Sequence, residues 1–331
     1  MIKKLIIDQT IDEANKDLEK DQVKYSRAEN TLKSYKKDFG TYEYFCKQKS
    51  RDPFELDYKV ITAYLKILQN QPDINKFSTI KRHLFAINYF YNEKKLEFDT
   101  KNKSIVDALD TISKKMTQSI DKTPPLLMVD LDKIINEIND EIEKNKFRLI
   151  NYRDKALILI AWYGAFRRSE VANLEINNVK KVNNGLLIKL NKSKNDQKGK
   201  KGAKPIPRKK TKKRLNHCPE NAYQNWLDIS EITSGRIFRH IDSSNKLIHE
   251  TLSDKSVANI IKKWAKKSNI LEDKLSGHSF RSGYATELAM RGASIEEIME
   301  ITHHSSESTA KGYIQMAKEY RKTPTEKYIP E

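Results

Sequence analysis

The sequence predicts a mainly α protein with two domains and one small antiparallel β-sheet. Apolar residues recur at helical spacing through most of the 331 residues. The stretch NNGLLIKLNKSKNDQKGKKGAKPIP instead predicts two short strands around a long polar connection. A polar segment that ends in Pro124 and Pro125 divides the chain, and paired prolines favour an extended linker.

The first half is predicted to form a compact bundle of four helices. Two of them begin behind Asp57 and Ser78, which are residues that favour helix starts. The apolar stripes of the four helices cover 32–46, 60–68, 80–91 and 104–116. We therefore predict an N-terminal extension at 1–23, a helical domain at 24–117 and a linker at 118–126.

The second half is predicted to be a mostly helical domain at 127–321, followed by a tail at 322–331. Its single sheet is expected to consist of the two short strands described above. The predicted helices are 129–145, 152–166, 219–229, 255–267, 279–291, 295–302 and 306–320.

The charge of the chain points to a polyanionic partner. Lys and Arg number 63 against 45 Asp and Glu, which gives a formal net charge of +18. Between Lys192 and Arg214 there are twelve basic residues and one acid, Asp196, with glycines and prolines that prevent a regular helix. Such a loop suits the phosphate backbone of nucleic acid. A solvated loop or a localisation signal is the alternative interpretation.

Other sequence features narrow the class of protein. Cys46 and Cys218 fit neither a disulfide framework nor a zinc-site spacing, which is typical of a reduced, cytoplasmic chain. The N-terminus lacks the apolar core of a signal peptide, and the most apolar run, ALILIAWYGAF, is too short to cross a bilayer. With no P-loop and no clustered metal-ligand motif, we expect no membrane partner, no cofactor and no metal.

Three cationic residues suggest an anion site. Arg167 directly follows an apolar helix, where a guanidinium requires an anionic partner; Glu170 offers a structural alternative to a ligand. His278 and Arg281 lie three residues apart at the start of a predicted helix and can point at one spot. The helix N-terminus adds its own partial positive charge there.

A histidine and a tyrosine follow this helix. His304 lies in a Thr-His-His-Ser-Ser turn, and Tyr313 lies nine residues further on. A tyrosine hydroxyl has a pKa near ~10, so it attacks at neutral pH only where cations stabilise the phenolate and the transition state. The set therefore matches phosphoryl transfer to tyrosine, in which positioning and charge stabilisation dominate.

The ordered motifs resemble those of the tyrosine recombinase family, which includes phage integrases, Cre and Xer proteins. These motifs are G-x-x-R-R-S-E, a lysine in S-K-N-D, G-H-S-F-R-S-G, and H-S-S with a tyrosine nine residues after the histidine. The helix with S-T-I-x-R-x-L-x-A-I is similar to one in the family's core-binding domain. The resemblance implies a two-domain DNA clamp, with an N-terminal core-binding (SAM-like) bundle and an α+β catalytic domain.

The resemblance also implies a role for each matching residue. Arg167, Arg281 and His304 would bind the non-bridging oxygens of the scissile phosphate, and Tyr313 would be the nucleophile. Lys194 would protonate the leaving 5′-oxygen, His278 would be the acid/base partner, and Glu170 would support the site. Residues expected to bind DNA are Lys192, Lys198, Lys200, Lys201 and Arg82.

Several of these assignments have an alternative in the sequence. His303 stands where most relatives have glycine, so either histidine of the pair can face the phosphate, and the H-S-S register favours His304. Lys192 and Lys198 are alternatives to Lys194, and Arg168 is the alternative to Arg167. The remaining C-terminal tyrosines, Tyr320 and Tyr328, lie beyond the expected spacing.

The implied activity is site-specific recombination through a 3′-phosphotyrosyl intermediate, without metal or nucleotide. The implied partners are duplex DNA with inverted half-sites, a homotetramer on two such sites, and accessory DNA-bending proteins. Integration or excision of a mobile element and Xer-like resolution are the expected roles. The alternatives are a non-catalytic site-specific DNA-binding protein of the same fold and a type IB topoisomerase-like enzyme.

Overall fold

The structure is a computed structural model of the whole chain. It describes residues 29–74, 76–116, 124–190, 202–208, 216–270, 275–304 and 306–320. The chain divides into two compact units, Met1–Asp121 and Lys122–Glu331. Both are mainly helical, and the second also contains short antiparallel strands, so the predicted fold class is confirmed.

The first unit is a helical bundle with an aromatic core. Its described helices are α1 (Glu29–Gln48), α2 (Tyr58–Leu68), α3 (Phe77–Glu93) and α4 (Lys103–Met116). Phe39 on α1 stacks on Phe90 of α3 with ring centroids 4.3 Å apart. The side chain of Asp57 caps α2, as predicted. The predicted start of α3 behind Ser78 is wrong, because the helix already begins at Phe77.

A buried polar cluster joins three helices of this bundle. Arg82 donates from Nε to Oδ2 of Asp38 at 2.6 Å and from Nη2 to Oδ1 at 3.1 Å. His83 shares a 2.9 Å hydrogen bond between Nδ1 and the Tyr64 hydroxyl. Asp38, Tyr64 and His83 are all buried, so the cluster satisfies polar groups that would otherwise destabilise the core.

The second unit is built around one helix that is buried on all sides. This central helix, α6 (Leu149–Tyr163), is buried and apolar from Ala156 to Tyr163, and it packs against α8 (Pro219–Ser230). Its first half also buries an ion pair between Arg153 and Asp154. The described helices of the unit are α5 (Met128–Lys144), α6 (Leu149–Tyr163), α7 (Arg168–Ala172), α8 (Pro219–Ser230), α9 (Asp254–Lys267), α10 (Ser279–Met290), α11 (Ile295–Thr302) and α12 (Glu307–Tyr320).

Within the described residues, the strands β1 (Val179–Val182), β2 (Gly185–Ile188), β3 (Lys204–Pro207), β4 (Arg239–Ile241) and β5 (Leu247–Thr251) form two small antiparallel sheets. The first has the order β1-β2-β3, and the second pairs β4 with β5. The predicted strand pair corresponds to β2 and β3, whereas the expectation of a single sheet is wrong.

The turn after α6 differs from the sequence prediction. The helix was expected to continue to residue 166, but it ends at Tyr163. Gly164 follows, and Ala165 has a left-handed φ of 45°. A non-glycine residue in this region is strained, so contacts from elsewhere in the unit must hold the turn.

Leu126 anchors the start of the second unit between α6 and α10. Its N–H donates to the carbonyl of Ser279 at 3.1 Å, and its carbonyl accepts from Nε1 of Trp162 at 2.8 Å. A Cβ atom on Gly283 would lie 2.0 Å from the Leu126 carbonyl oxygen. Glycine at this position therefore permits the close approach that fixes α10.

The last three helices share a small core of their own. Its members are mostly small side chains, so each contact buries little apolar area. They are Ala285, Ala289, Ile298, Ala310, Tyr313 and Ala317. No helix in the described ranges combines the length and the hydropathy that a bilayer span requires.

Candidate active site

The side chain of Glu170 fixes Arg167 at the start of α7. The backbone N–H of Arg167 donates to Oε2 of Glu170 at 2.8 Å, and Nη1 of its guanidinium donates to Oε1 at 2.6 Å. Glu170 is buried and Arg167 is partly exposed. The carboxylate therefore orients the guanidinium, and this pairing is the structural alternative that the sequence left open.

Arg281 is fully buried in the first turn of α10. Its Nη1 donates to the carbonyl of Ala165 at 3.1 Å, and its Nε donates to Nε2 of His304 at 3.2 Å. Its Nη2 is buried and has no hydrogen-bond partner among the described residues. Desolvation, followed by the charge of Arg167, lowers the pKa of Arg281 to about 10, so the group stays charged at neutral pH.

His304 lies just after α11 and is held as a neutral imidazole. The hydroxyl of Thr302 donates to the carbonyl of Ile298 at 2.6 Å, so it accepts from Nδ1 of His304 at 2.8 Å. This network assigns the proton to Nδ1 and leaves Nε2 as the acceptor for Arg281. Desolvation and the nearby positive charges, those of Arg281 and Arg167 first, lower its pKa to about 3.

Tyr313 lies on the inner face of α12, with 5% of its surface exposed. Its ring centroid lies 5.7 Å from that of His304. Its hydroxyl is buried and makes no hydrogen bond of ordinary length within the described part of the chain, although a longer interaction with Arg281 contributes to its pKa. Desolvation raises the pKa of Tyr313, whereas the charges of Arg281 and Arg167 lower it. The arginines therefore favour the phenolate that burial disfavours.

His278 occupies the N-cap position of α10. Desolvation lowers its pKa below the ordinary value of 6.5, and the charges of Arg281 and Arg167 lower it further. Because the residue is exposed at the surface, the two charges are the firmer cause of this shift. His278 is therefore neutral at neutral pH and can accept a proton.

The structure brings Arg281, His304 and Tyr313 into one cluster, because Arg281 bonds His304 and the ring centroid of His304 lies 5.7 Å from that of Tyr313. Arg167 follows the turn whose Ala165 carbonyl accepts from Arg281, and His278 lies at the start of the helix that carries Arg281. The loop lysines Lys192, Lys194, Lys198, Lys200 and Lys201 lie outside the described residues, as does Tyr328.

The residues that the sequence offered as alternatives to the preferred site residues lie in other surroundings. Arg168 is half-exposed and pairs with Asp254 at 3.1 Å. His303 ends α11 in the left-handed conformation, with φ 54°. Tyr320 is exposed at the end of α12. Arg82 belongs to the first unit and pairs with Asp38. The roles assigned from the sequence stay predictions.

Lys204 is a residue near this site that the sequence analysis did not identify. It begins β3, and only 1% of its surface is exposed. Its charge contributes to the lowered pKa of His304. In the sequence it is one of twelve basic residues between 192 and 214, so no local signal distinguishes it from its neighbours.

The donors of the site suit an anion. Two guanidinium groups and a buried, unpaired Nη2 atom provide donors and positive charge. No group of three His, Cys, Asp or Glu side chains able to hold a metal occurs within the described ranges. A tetrahedral oxyanion such as a phosphodiester matches this arrangement of donors, with a buried tyrosine beside it.

A tyrosine among arginines and histidines on this fold defines the class of the protein as the tyrosine recombinases. Residues 130–320 match the sequence model of the phage integrase family, and the chain belongs to that family. The predicted membership is thereby confirmed. A relative from Selenomonas ruminantium, "Integrase/recombinase xerD homolog", is 30% identical over 89% of this chain and 84% of its own length. A "Tyrosine recombinase" from Thermosipho africanus is 25% identical over 88% and 90%, respectively.

Solved structures show the same fold. A Tn1549 transposon integrase in complex with transposon right end DNA has a TM-score of 0.63 and 12% identity, over 92% of this chain and 96% of that one. The XerH site-specific recombinase in a post-cleavage complex with palindromic difH substrate has a TM-score of 0.59 and 17% identity. That match covers 84% of this chain and 74% of the XerH chain.

Proposed function

We propose that this tyrosine recombinase cleaves and rejoins duplex DNA through a covalent bond between Tyr313 and a 3′-phosphate. The observation that carries the proposal is that Nη2 of Arg281 and the hydroxyl of Tyr313 are both buried and make no hydrogen bond of ordinary length within the described residues, although the arginine is close enough to lower the pKa of the tyrosine. Buried polar atoms are rarely left without a full hydrogen bond, which supports a ligand that binds both. A phosphodiester would accept from Nη2 and present its phosphorus to the hydroxyl.

The proposed reaction is a transesterification. The oxygen of Tyr313 forms a bond to phosphorus while the bond from phosphorus to the 5′-oxygen breaks. The tyrosine proton passes to His278, and the leaving 5′-oxygen takes a proton from Lys194. Attack by a 5′-hydroxyl on the phosphotyrosine reverses every step. Since one phosphodiester replaces another, bond energy is conserved and no nucleotide is needed.

The two arginines and His304 would supply most of the rate enhancement. The arginines place positive charge and donors where the non-bridging oxygens gain charge in the transition state, and His304, which is neutral in the free protein, would add a donor there once Nε2 is protonated. Such groups work best when they are preorganised, and each arginine is held by protein contacts: Arg167 by Glu170, and Arg281 by the Ala165 carbonyl. Removal of one such donor typically lowers the rate by about 10²–10³-fold.

The proposed biological reaction is strand exchange between two sites that contain inverted half-sites, carried out by a homotetramer and assisted by accessory DNA-bending proteins. The names of the relatives support recombination, and the integrase structure contains transposon end DNA. Integration or excision of a mobile element and Xer-like resolution remain the two roles within this proposal. The basic composition of the chain, with its net charge of +18, supports DNA as the partner.

The test uses a DNA probe that the protein itself selects. Tyr313→Phe protein enriches binding sites from a random pool of duplexes, and the selected duplex is then synthesised with a nick near the cleavage point. Wild-type protein should form a covalent adduct that mass spectrometry maps to Tyr313. Tyr320→Phe, on the exposed end of the same helix, is the matched control and should react normally.

Each alternative activity predicts a different result. A non-catalytic DNA-binding protein would bind the selected duplex and form no adduct. A topoisomerase-like enzyme would relax supercoiled DNA without exchanging strands between two sites. An adduct on Tyr320 or Tyr328 would contradict the assignment of the nucleophile.

A further inference from the structure

Lys204 is a charged side chain buried beneath the candidate site. Strand alternation places Lys204 and Ile206 on the inner face of β3. The Nζ atom of Lys204 donates to the carbonyl of Gly164 at 2.7 Å and to that of Ala165 at 3.4 Å. It also lies 4.9 Å from the ring centroid of Phe166. A fully buried lysine is rare, so these contacts have to offset a large desolvation penalty.

The carbonyls that Lys204 binds form the strained turn between α6 and Arg167. Ala165 has the left-handed φ of 45°, which a residue with a side chain adopts only when its surroundings enforce it. Its carbonyl accepts from Nζ of Lys204 at 3.4 Å and from Nη1 of Arg281 at 3.1 Å. One backbone oxygen therefore connects β3, the turn and the first turn of α10.

We infer that Lys204 is a positioning residue for the cleavage step. It holds the Gly164–Phe166 turn in the conformation that lets Arg167 and Arg281 bind the same phosphate. The inference rests on the proposed function. Arg167 follows the turn directly, and Arg281 is bound to it, so loosening the turn would release both guanidinium groups at once. A shift of about 1 Å in such groups lowers the rate by as much as ~10²-fold.

The charge of Lys204 has a second effect on the site. It is one of the charges that lower the pKa of His304. A neutral residue at position 204 should therefore raise the pKa of that imidazole, whereas an arginine should preserve it. This response distinguishes a charge that acts on the site from a side chain that only fills space in the core.

Lys204 is also distinct from the general acid. Its Nζ is directed at the carbonyls of Gly164 and Ala165 in the interior, whereas the acid has to reach the leaving 5′-oxygen. A 5′-thiolate leaves without a proton, so a thiolate substrate restores cleavage when the acid is lost. The same substrate cannot correct misplaced arginines, because those act on the non-bridging oxygens in both substrates.

The experiment compares variants on the selected nicked duplex and on its 5′-thiolate analogue. Lys204→Met removes the charge and the donors, Lys204→Gln keeps a donor without charge, and Lys204→Arg keeps the charge. Lys263→Met is the matched control, because its Nζ also bonds a buried oxygen that α6 carries, Oδ2 of Asp154 at 2.8 Å. Single-turnover rate, DNA affinity, melting temperature and the pKa of His304 are measured for each.

We expect Lys204→Met to bind DNA within about 2-fold of wild type and to cleave both substrates about 10²-fold more slowly. Lys204→Arg should recover most of the rate. Lys263→Met should lower the melting temperature and leave the rate unchanged. If Lys204→Met does not fold, the rate and the His304 pKa of Lys204→Gln decide the question.

Three results would overturn the inference. They are a wild-type rate in the neutral variants, a loss confined to DNA affinity, and rescue by the thiolate, which would make Lys204 the acid. A wild-type protein that binds the duplex and forms no adduct would instead reject the proposed function.

Discussion

Arg281 donates from Nε to Nε2 of His304 at 3.2 Å, so a cation and a neutral imidazole share one hydrogen bond in the candidate site. The bond agrees with the pKa of His304, which desolvation and neighbouring positive charges lower to about 3. A phosphate at this position would offset those charges. The pKa of His304 should therefore show whether a phosphate occupies the site.

Binding of DNA to Tyr313→Phe protein should raise the pKa of His304 from about 3 towards its ordinary value of 6.5. The reason is that the phosphate charge favours the imidazolium form. Histidine NMR titrations with and without the selected duplex measure the shift, and the His304→Gln spectrum assigns the signal. An unchanged pKa in the saturated complex would place the phosphate elsewhere.

The pH dependence of cleavage should follow His278. A general base acts in its neutral form, and the pKa of His278 lies below its ordinary 6.5. The cleavage rate at limiting DNA, which reports ionisations of the free protein, should therefore stay level as pH falls through 6.5 and decline only at the lower pKa. His278→Asn should be about 10²-fold slower and should lose that acid limb. If the rate of His278→Asn still declines at low pH, the decline belongs to another group.

Lys194→Ala should cleave ordinary DNA slowly and the 5′-thiolate substrate at nearly the wild-type rate. A thiolate is a weak base that departs without a proton, so the substrate removes the need for an acid. Lys192→Ala and Lys198→Ala are the matched controls from the same loop. If one of them, and not Lys194→Ala, shows the rescue, that lysine is the acid.

Gly283→Ala should destabilise the second unit by about 1–3 kcal/mol, because overpacking forces the backbone to shift. The added Cβ would lie 2.0 Å from the carbonyl oxygen of Leu126. Gly312→Ala, on α12, is the control: there the Cβ would meet no described atom within 4 Å, and alanine favours the helix. Denaturant unfolding of the full chain measures both, and equal effects would refute the close approach.

The first unit should lose stability as the pH falls below 6.5. Burial lowers the pKa of His83 in the folded state, even though Asp38 opposes the shift. Between the folded pKa and 6.5, the unfolded chain binds more protons, so stability is full above 6.5 and declines below it. His83→Gln, compared with wild type by denaturant unfolding on both sides of pH 6.5, should show a smaller change with pH. An equal change would assign the proton uptake to another group.

Helical periodicity was sufficient to predict most helices and the fold class. It failed where tertiary contacts determine the backbone conformation. The turn at Gly164 and Ala165 interrupts a run of apolar residues that favours a longer helix, and the contacts from Lys204 and Arg281 that hold it come from distant parts of the chain. No window of the sequence contains both partners.

The missed strands have a different explanation. A two-residue turn, Asn183 and Asn184, connects β1 to β2. The sequence contains this turn signal, but the strands on either side of it have only four residues each. Ordered motifs predicted Arg167, Arg281, His304 and Tyr313 as candidate site residues, because spacing carries information about them. Lys204 lacks such a signal, since its role depends on burial and not on its neighbours in sequence.

The separate core of α10, α11 and α12 has a consequence for the timing of the reaction. Tyr313 belongs to a small cluster with four alanines and Ile298, against which larger side chains such as Leu288 and Met299 pack, and this cluster is separate from the large apolar core around α6. Because the small cluster buries less apolar area than the large core, we expect it to open before the rest of the unit. Such an opening would move Tyr313 without unfolding the scaffold that holds Arg167 and Arg281.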